Sequence, residues 1–599
     1  MSPKSPISND TSLVSFTIKV ESKKIDSSFQ VVSINTWNSV NKVPKAQVIL
    51  FDGSAADSNF EISDSKIFVP GNKIEISAGY NQKETVIFTG IIVKQGIEIN
   101  HSQGSKLVID VSDEVIKMTI ERKNGIFEKI KDSDLIGKLI TNNGLKKDVS
   151  VTNNIQPEIV QYYTSDWDLM VTRAELNSYI VYMTNGKVTV KKPDTQQAAV
   201  LVVKYGDSIL DLKLEMDAAS QLPKSSIKSY SWDIEQQKII ESGPGSVNVK
   251  EQGNIKSSQL ASIFKIKKYT QQTGGLIDKT SLKDWSSAEL QRSILSKIRG
   301  SVQFQGSALA ETGKTIELAG LGARFNGIAF ISGVQHSIYS GKWITQIEVG
   351  LSSKSFSQVT PDIVMKNASG QLPPIKGLQT GIVKKISKDP DGEHRVFVNL
   401  PILQDSSKGI WVRLGSFYAS NKVGAMFYPE IKDEVVIGFM NEDPRYGVIL
   451  GSLYSKNQAP PYPVDEKNTK KTIKTKGGLE ILFDDKDKII ELMTPAKQQI
   501  RIDDKAKSIM LKDSNNNKVT LAKNGINLES ASNIKLTAKG NITLDAKANI
   551  NLNAKAKASM SGMQIDHQAK TKFSAKGNAA AEVTASGMLT LKGAMVKIN

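Results

Sequence analysis

From residue 525 the chain reads GINLESAS, NIKLTAKG, NITLDAKA, NINLNAKA, an eight-residue repeat. Ile526, Ile534, Ile542 and Ile550 keep that interval, and so do Leu528, Leu536, Leu544 and Leu552. Within each unit the two apolar residues stand two apart, so both face one side of a strand while the residue between them faces water. No 3.6-residue stripe accommodates this spacing, which excludes an amphipathic helix. An alanine- and lysine-rich helix over 546–558 is the competing reading, but Asn549, Asn551 and Asn553 weaken it. One apolar pair per eight residues cannot enclose a core alone, and single-chain β-helices use units of six or nine. Three copies wound about one axis would fill the middle with Ile-x-Leu pairs and remove free strand edges. The repeat therefore predicts an intertwined triple-stranded β-helix needle in a homotrimer.

Looser versions precede it at Ile500/Ile502, Ile509/Leu511 and Val519/Leu521. After Ala556 the pattern thins into small residues and resumes at Leu589/Leu591 and Val596/Ile598. The needle is expected over 478–599, preceded by a proline-marked linker or neck over 456–477.

Upstream, five short strands with turn chemistry such as DPDG (389–392) predict a small OB-type barrel over 376–455. The expected strands are 379–386, 393–400, 409–414, 433–439 and 447–451. Trp411, Phe417, Tyr418, Phe427 and Tyr428 could stack bases, with Arg395 and Arg413 on phosphates. Core and interdomain packing explains the same aromatics, and no specific nucleic acid is expected.

Residues 1–375 read as β-rich with helical inserts. The segment 68–94 alternates around Pro70-Gly71 and Gly79-Tyr80 as a hairpin does. A helix should start at Ser165-Asp166, where Ser165 and Asp168 resemble a capping box and Trp167, Met170, Val171 and Ala174 form a stripe. A second helix is expected over 287–299, with Leu290, Ile294 and Ile298 on one face and Gly300 ending it.

Composition excludes several chemistries. The chain has no cysteine and four histidines, so thiolate sites, disulfides and HExxH zinc chemistry are excluded. No cofactor, catalytic residue or metal site is expected. The exception considered is His567, which three-fold symmetry would bring together near the axis if it faced inward with Ile565. A glycosidase would need paired carboxylates in a cleft, which a needle does not offer. The net charge of +17 is spread along the chain, although lysines outnumber acidic residues ten to four over 525–599. The opening MSPKSPISND has no apolar h-region, so assembly in the cytoplasm is expected.

The run PEIKDEVVIGFMNEDPRYGVILGSLYS (429–455) resembles the barrel signature of the VgrG and contractile-tail spike family. The matching residues are Pro429, Glu430, Asp433, Glu434, Asp443, Pro444, Gly451 and Tyr454, with HRVFVNLP (394–401) and Trp411-Val412-Arg413 upstream. Lys432 stands where the family usually has glycine. Phe88–Ile92, SDWDLM and the stretch from Gly327 to Trp343 containing Val334-Gln335-His336 resemble the hub half.

The resemblance implies a mainly β protein: a hub of two barrel-like domains with a few helices, the OB barrel, then the needle. It further implies a spike that caps a hexameric inner tube protein, contacts baseplate proteins and punctures the target envelope on sheath contraction. Such a spike meets the target membrane transiently, carries a separate PAAR-type tip protein at its C-terminal end, and can carry effector cargo outside or into a target cell. A trimeric fibre or adhesin without a puncturing role is the alternative reading.

Overall fold

The computed structural model describes residues 4–7, 13–102, 104–184 and 186–598. It is mainly β and separates into two compact units, Met1–Leu453 and Tyr454–Asn599.

In the first unit a 13-stranded sheet carries most of the hub. Its strands follow period-two patterning: in Lys45–Phe51, Ala46, Val48 and Leu50 turn inward while their neighbours turn out. Two cores lie on this sheet. One gathers Ile18, Ile34, Val48, Leu50, Phe68, Ile76 and Ile109. The other gathers Val203, Val302, Phe304, Ile316, Ile331 and Ile347. The two halves meet where Val31–Ser39 pairs antiparallel with Gly327–Tyr339, Thr36 lying opposite His336. The two halves are thus joined through one continuous sheet, and Ile338 and Trp343 from the second half complete the first core.

The hairpin over 68–94 forms from Lys73–Tyr80 and Lys83–Asn100. Its reversal falls on Asn81 and Gln82, both with positive φ (51° and 62°), the geometry that matches strand twist in a two-residue turn. Gly79, expected at the turn, lies instead inside a strand: a Cβ there would come within 1.9 Å of the Lys83 carbonyl oxygen.

A helical lobe packs Leu135, Ile136, Met170, Val171 and Ala174 into a third core. Its helix Asp166–Leu176 starts as the sequence predicts, with the Asp168 N–H donating to Ser165 Oγ at 3.1 Å. The second predicted helix is displaced. It runs Lys279–Leu295, because Asp278 accepts from the N–H groups of Thr280 and Ser281 and so sets an earlier start. Ile298 and Gly300 belong to the following strand, where Gly300 sits so close to the Lys213 carbonyl that no side chain fits.

The barrel is closed and five-stranded: Gln379–Lys385, Val396–Asn399, Ile410–Leu414, Glu434–Phe439 and Gly447–Ser452. Val383, Val396, Val398, Val412, Val435, Ile437 and Ile449 fill it, each at most 1% exposed.

The second unit opens with a seven-stranded antiparallel meander in which every strand pairs with the next, from Lys470–Lys474 to Gly525–Glu529. The first of these strands lies within the stretch expected to be neck. The looser repeats at 500–521 therefore pair within one chain.

Candidate assembly surface

The meander is a single layer with two unlike faces. On one, cross-strand partners are apolar without interruption: Phe483 opposite Ile490, Ile490 opposite Ile502, Ile502 opposite Ile509, Ile509 opposite Leu521, Leu521 opposite Ile526. A second column runs Ile481, Leu492, Ile500, Leu511, Val519, Leu528. Ile500, Ile502, Ile509 and Leu511 stay 39–44% exposed, because no described residue of the chain covers them.

The other face is mainly polar, with Leu482, Ile489, Met493 and Met510 interspersed, and its charged groups pair with one another. Lys474 reaches the Glu480 carboxylate at 3.1 Å, and Arg501 holds Glu491 at 3.5 Å and Asp503 at 2.9 Å. Thr472 Oγ1 donates to Glu480 at 2.8 Å, and Gln499 donates to Glu491. Tyr462, from the proline-rich segment, lies with its ring 5.0 Å from Lys470 Nζ and 5.9 Å from Lys474 Nζ. Burial, then the neighbouring Glu480 carboxylate, pushes the Tyr462 phenol up to about 12. Burial would raise Glu480, but its bonds to Tyr462, Thr472 and Lys474 outweigh that and hold it below the usual glutamate value.

Of the predicted needle-core residues, Ile526 and Leu528 lie on the last meander strand. Ile534, Leu536, Ile542, Leu544, Ile550 and Leu552 lie beyond it, in a stretch where the described residues form no hydrogen-bonded ladder within the chain. Each is more than half exposed. His567 is exposed, its ring stacked 6.1 Å from Phe573. Among the described residues, no group of three or more His, Asp or Glu could hold a metal ion. No described helix is long and apolar enough to cross a membrane.

The barrel signature residues are dispersed along turns and edges. Pro429 is buried; the Glu430 N–H donates to Asp433 Oδ2 at 2.8 Å, closing the turn into the next strand. Glu434 opens that strand, and its carbonyl accepts from the Leu453 N–H. Lys432 has φ +79°, a left-handed conformation natural to glycine, which gives the family's glycine at this position a physical reason. Asp443, 3% exposed, binds Arg445 at 2.7 Å and precedes Pro444. Gly451 pairs with Val436, and Tyr454 is exposed where the second unit starts. Arg395, considered for phosphate contact, is held by Asp389 and Asp391. Trp411 packs on Phe397 at 5.2 Å. His336 is buried, its Nδ1 2.9 Å from Thr345 Oγ1 and its ring 5.7 Å from Trp343. Burial pushes its imidazole down to about 4.

A 13-stranded sheet, a closed five-stranded barrel and a repetitive single-layer meander together make up the described fold. Residues 379–454 match the family model described as the type VI secretion system/phage-baseplate injector OB domain. Residues 10–340, over half the chain, match the model described as the Alg8 N-terminal domain, and the chain belongs to that family; its barrel region is in addition similar to VgrG spike proteins of type VI secretion systems.

Over 80 residues the chain is 34% identical to the actin cross-linking toxin VgrG1 of Vibrio cholerae, covering 12% of this chain and 7% of that protein. Over 104 residues it is 31% identical to the type VI secretion system spike protein VgrG3 of Vibrio cholerae, covering 16% and 10%. The matched stretches thus span a tenth or less of these curated relatives. Among solved structures, the 43 kDa tail protein of prophage MuSo2 from Shewanella oneidensis aligns with a TM-score of 0.44 at 11% identity, covering 57% of this chain and 99% of that one.

Proposed function

We propose that this chain is the non-enzymatic, homotrimeric spike of a contractile injection system. The uncovered apolar face of the stalk carries the reading. A single-layer sheet with one continuous apolar face is not stable alone in water, because nothing removes that face from solvent. The chain's own proline-rich segment lies on the polar face, so the apolar face is left for other copies. Three sheets turned inward about an axis would bury both apolar columns. Covering what remains exposed of one such Ile or Leu contributes about 1–2 kcal/mol per copy.

Beyond Glu529 the Ile-x-Leu units continue the same apolar seam, now with backbone groups available to neighbouring chains. In this reading Ile526, Leu528, Ile534, Leu536, Ile542, Leu544, Ile550 and Leu552 form the needle's axis. The hub over 1–375 would cap a hexameric inner tube protein within a baseplate, with the barrel over 376–455 as collar. A separate PAAR-type tip protein would complete the point, and effectors could travel as cargo. Assembly in the cytoplasm, then delivery across a target envelope, fits such a machine.

Light scattering on the purified full chain tests the reading. Three chain masses support it; a monodisperse monomer would sink it.

A further inference from the structure

The segment between the last hub strand, Lys342–Val349, and the first barrel strand, Gln379–Lys385, is fastened at both ends. On the hub side the Phe356 N–H donates to Glu175 Oε2 at 2.8 Å. Arg122 grips the same segment through the Asp362 carboxylate at 3.2 Å and the Asp362 and Val364 carbonyls. On the barrel side everything converges on one turn, residues 441–445. Asn367 Nδ2 donates to Glu442 Oε2 at 2.6 Å, and the Ile375 N–H donates to the Glu442 carbonyl at 2.9 Å. Arg445, braced by Asp443, donates to Gln371 Oε1 at 3.0 Å, and Asn441 Nδ2 reaches the Lys366 carbonyl at 3.4 Å.

Both sides of this contact hold costly backbone. On the linking segment Ala368, Ser369 and Gly370 have φ of 49°, 54° and 69°; on the barrel Asn441 and Glu442 have 51° and 56°. Ala368 is fully buried. A left-handed non-glycine residue costs on the order of 1 kcal/mol and persists only where its surroundings over-determine it. Two such turns docked against each other therefore point to a selected contact, since a plain connector would relax into open extended chain.

We propose that the Asn441–Arg445 turn of the barrel is a clamp for the segment leaving the hub, with Glu442 and Asn367 as its positioning pair. The clamp makes hub and barrel one stiff piece. If the spike reading holds, thrust received by the hub then reaches the barrel without a hinge between them.

The test uses tryptic cleavage of the assembled full chain after Lys366 and Lys376, both exposed and both within the clamped segment. Protease access to such sites follows the population of the opened form. Asn367→Asp sets a carboxylate against Glu442 and should speed cleavage at these two lysines about tenfold, the loss expected for a hydrogen bond to a charged group. Adding Glu442→Gln moves the amide to the barrel side, where it can donate back, and should return cleavage to within about twofold of the parent, well inside one tenfold step.

Asn367→Ala, which adds no charge, should give a smaller acceleration, with faster exchange of the Ile375 amide. Unchanged cleavage in Asn367→Asp, or acceleration that Glu442→Gln leaves in place, would overturn the clamp. Because cleavage is read on the protein alone, failure of the clamp is distinguishable from failure of the spike reading, which is decided by chain mass.

Discussion

The hub sheet and the stalk meander are built from the same kind of strand, yet they end in opposite states. In the hub, Ile34, Val48, Leu50 and Ile76 sit at 0% exposure, covered by the chain's own strands and loops. In the stalk, residues of the same type in the same alternation stay near 40% exposed. The connections between strands make the difference. Some hub strands are joined by tight turns too, as at Asn81-Gln82, but others are separated by long excursions (52–72, 113–201 and 217–297), whereas every stalk strand is joined to the next by a short turn. Alternation therefore specifies a strand and its inward face, but the source of the cover is set by the connections.

The sharpest way to break this contrast is a charge on the stalk's apolar face. Ile502→Asp should abolish the proposed trimer, because three carboxylates would be buried together near its axis at a cost of several kcal/mol each. Light scattering would show single-chain mass with the hub still folded by near-ultraviolet circular dichroism. Phe304→Ala, in the hub core, should do the reverse. It should lower hub stability by about 3–5 kcal/mol in denaturant unfolding and leave the chain mass unchanged.

Acid should act on the stalk's polar face. Glu480 is held below its ordinary value of 4.5, so its contribution is present above that pH and is lost as pH falls through the lower folded value. A pH series of thermal melts should show the stalk transition falling below about pH 4.5, and Glu480→Gln should flatten that dependence. In the helical lobe, Ser165→Ala should cost about 1 kcal/mol through loss of the N-cap. The smallest effect is expected at Lys432→Gly, which relieves a left-handed lysine and should raise barrel stability by up to about 1 kcal/mol.

The barrel was legible because its information is local. Each strand shows alternation, and turns such as DPDG lie directly between strands, so the five ranges read from the sequence differ from the observed ones by a few residues at their ends. The joining of the hub halves was not legible. Thr36 pairs with His336 across most of the hub sequence, and no local pattern announces which distant strands become neighbours. The helix Lys279–Leu295 began earlier than its apolar stripe suggested because its start is fixed by the polar cap at Asp278.

For the stalk, the repeat revealed the apolar pairs at Ile526 through Leu552 but not where self-pairing gives way at Glu529. Nothing in a period of eight distinguishes a strand paired with its own chain from one that waits for another. Nor did the signature at 441–445 reveal its docking role, since Asn367 and Gln371 lie on a segment with no periodicity.

The nearest-neighbour pairing of the meander has a kinetic consequence. Each strand needs only the one before it, so loop closures are short and neighbouring strands can pair transiently in each chain on the microsecond scale of hairpins, persisting once the apolar face is covered. The residues beyond Glu529 have no such partner and must wait for encounter. Refolding should therefore show an early phase indifferent to dilution, then a phase that accelerates steeply with chain concentration. In the trimer proposed above, the second phase should begin where three such sheets cover one another and run outward, one eight-residue unit at a time.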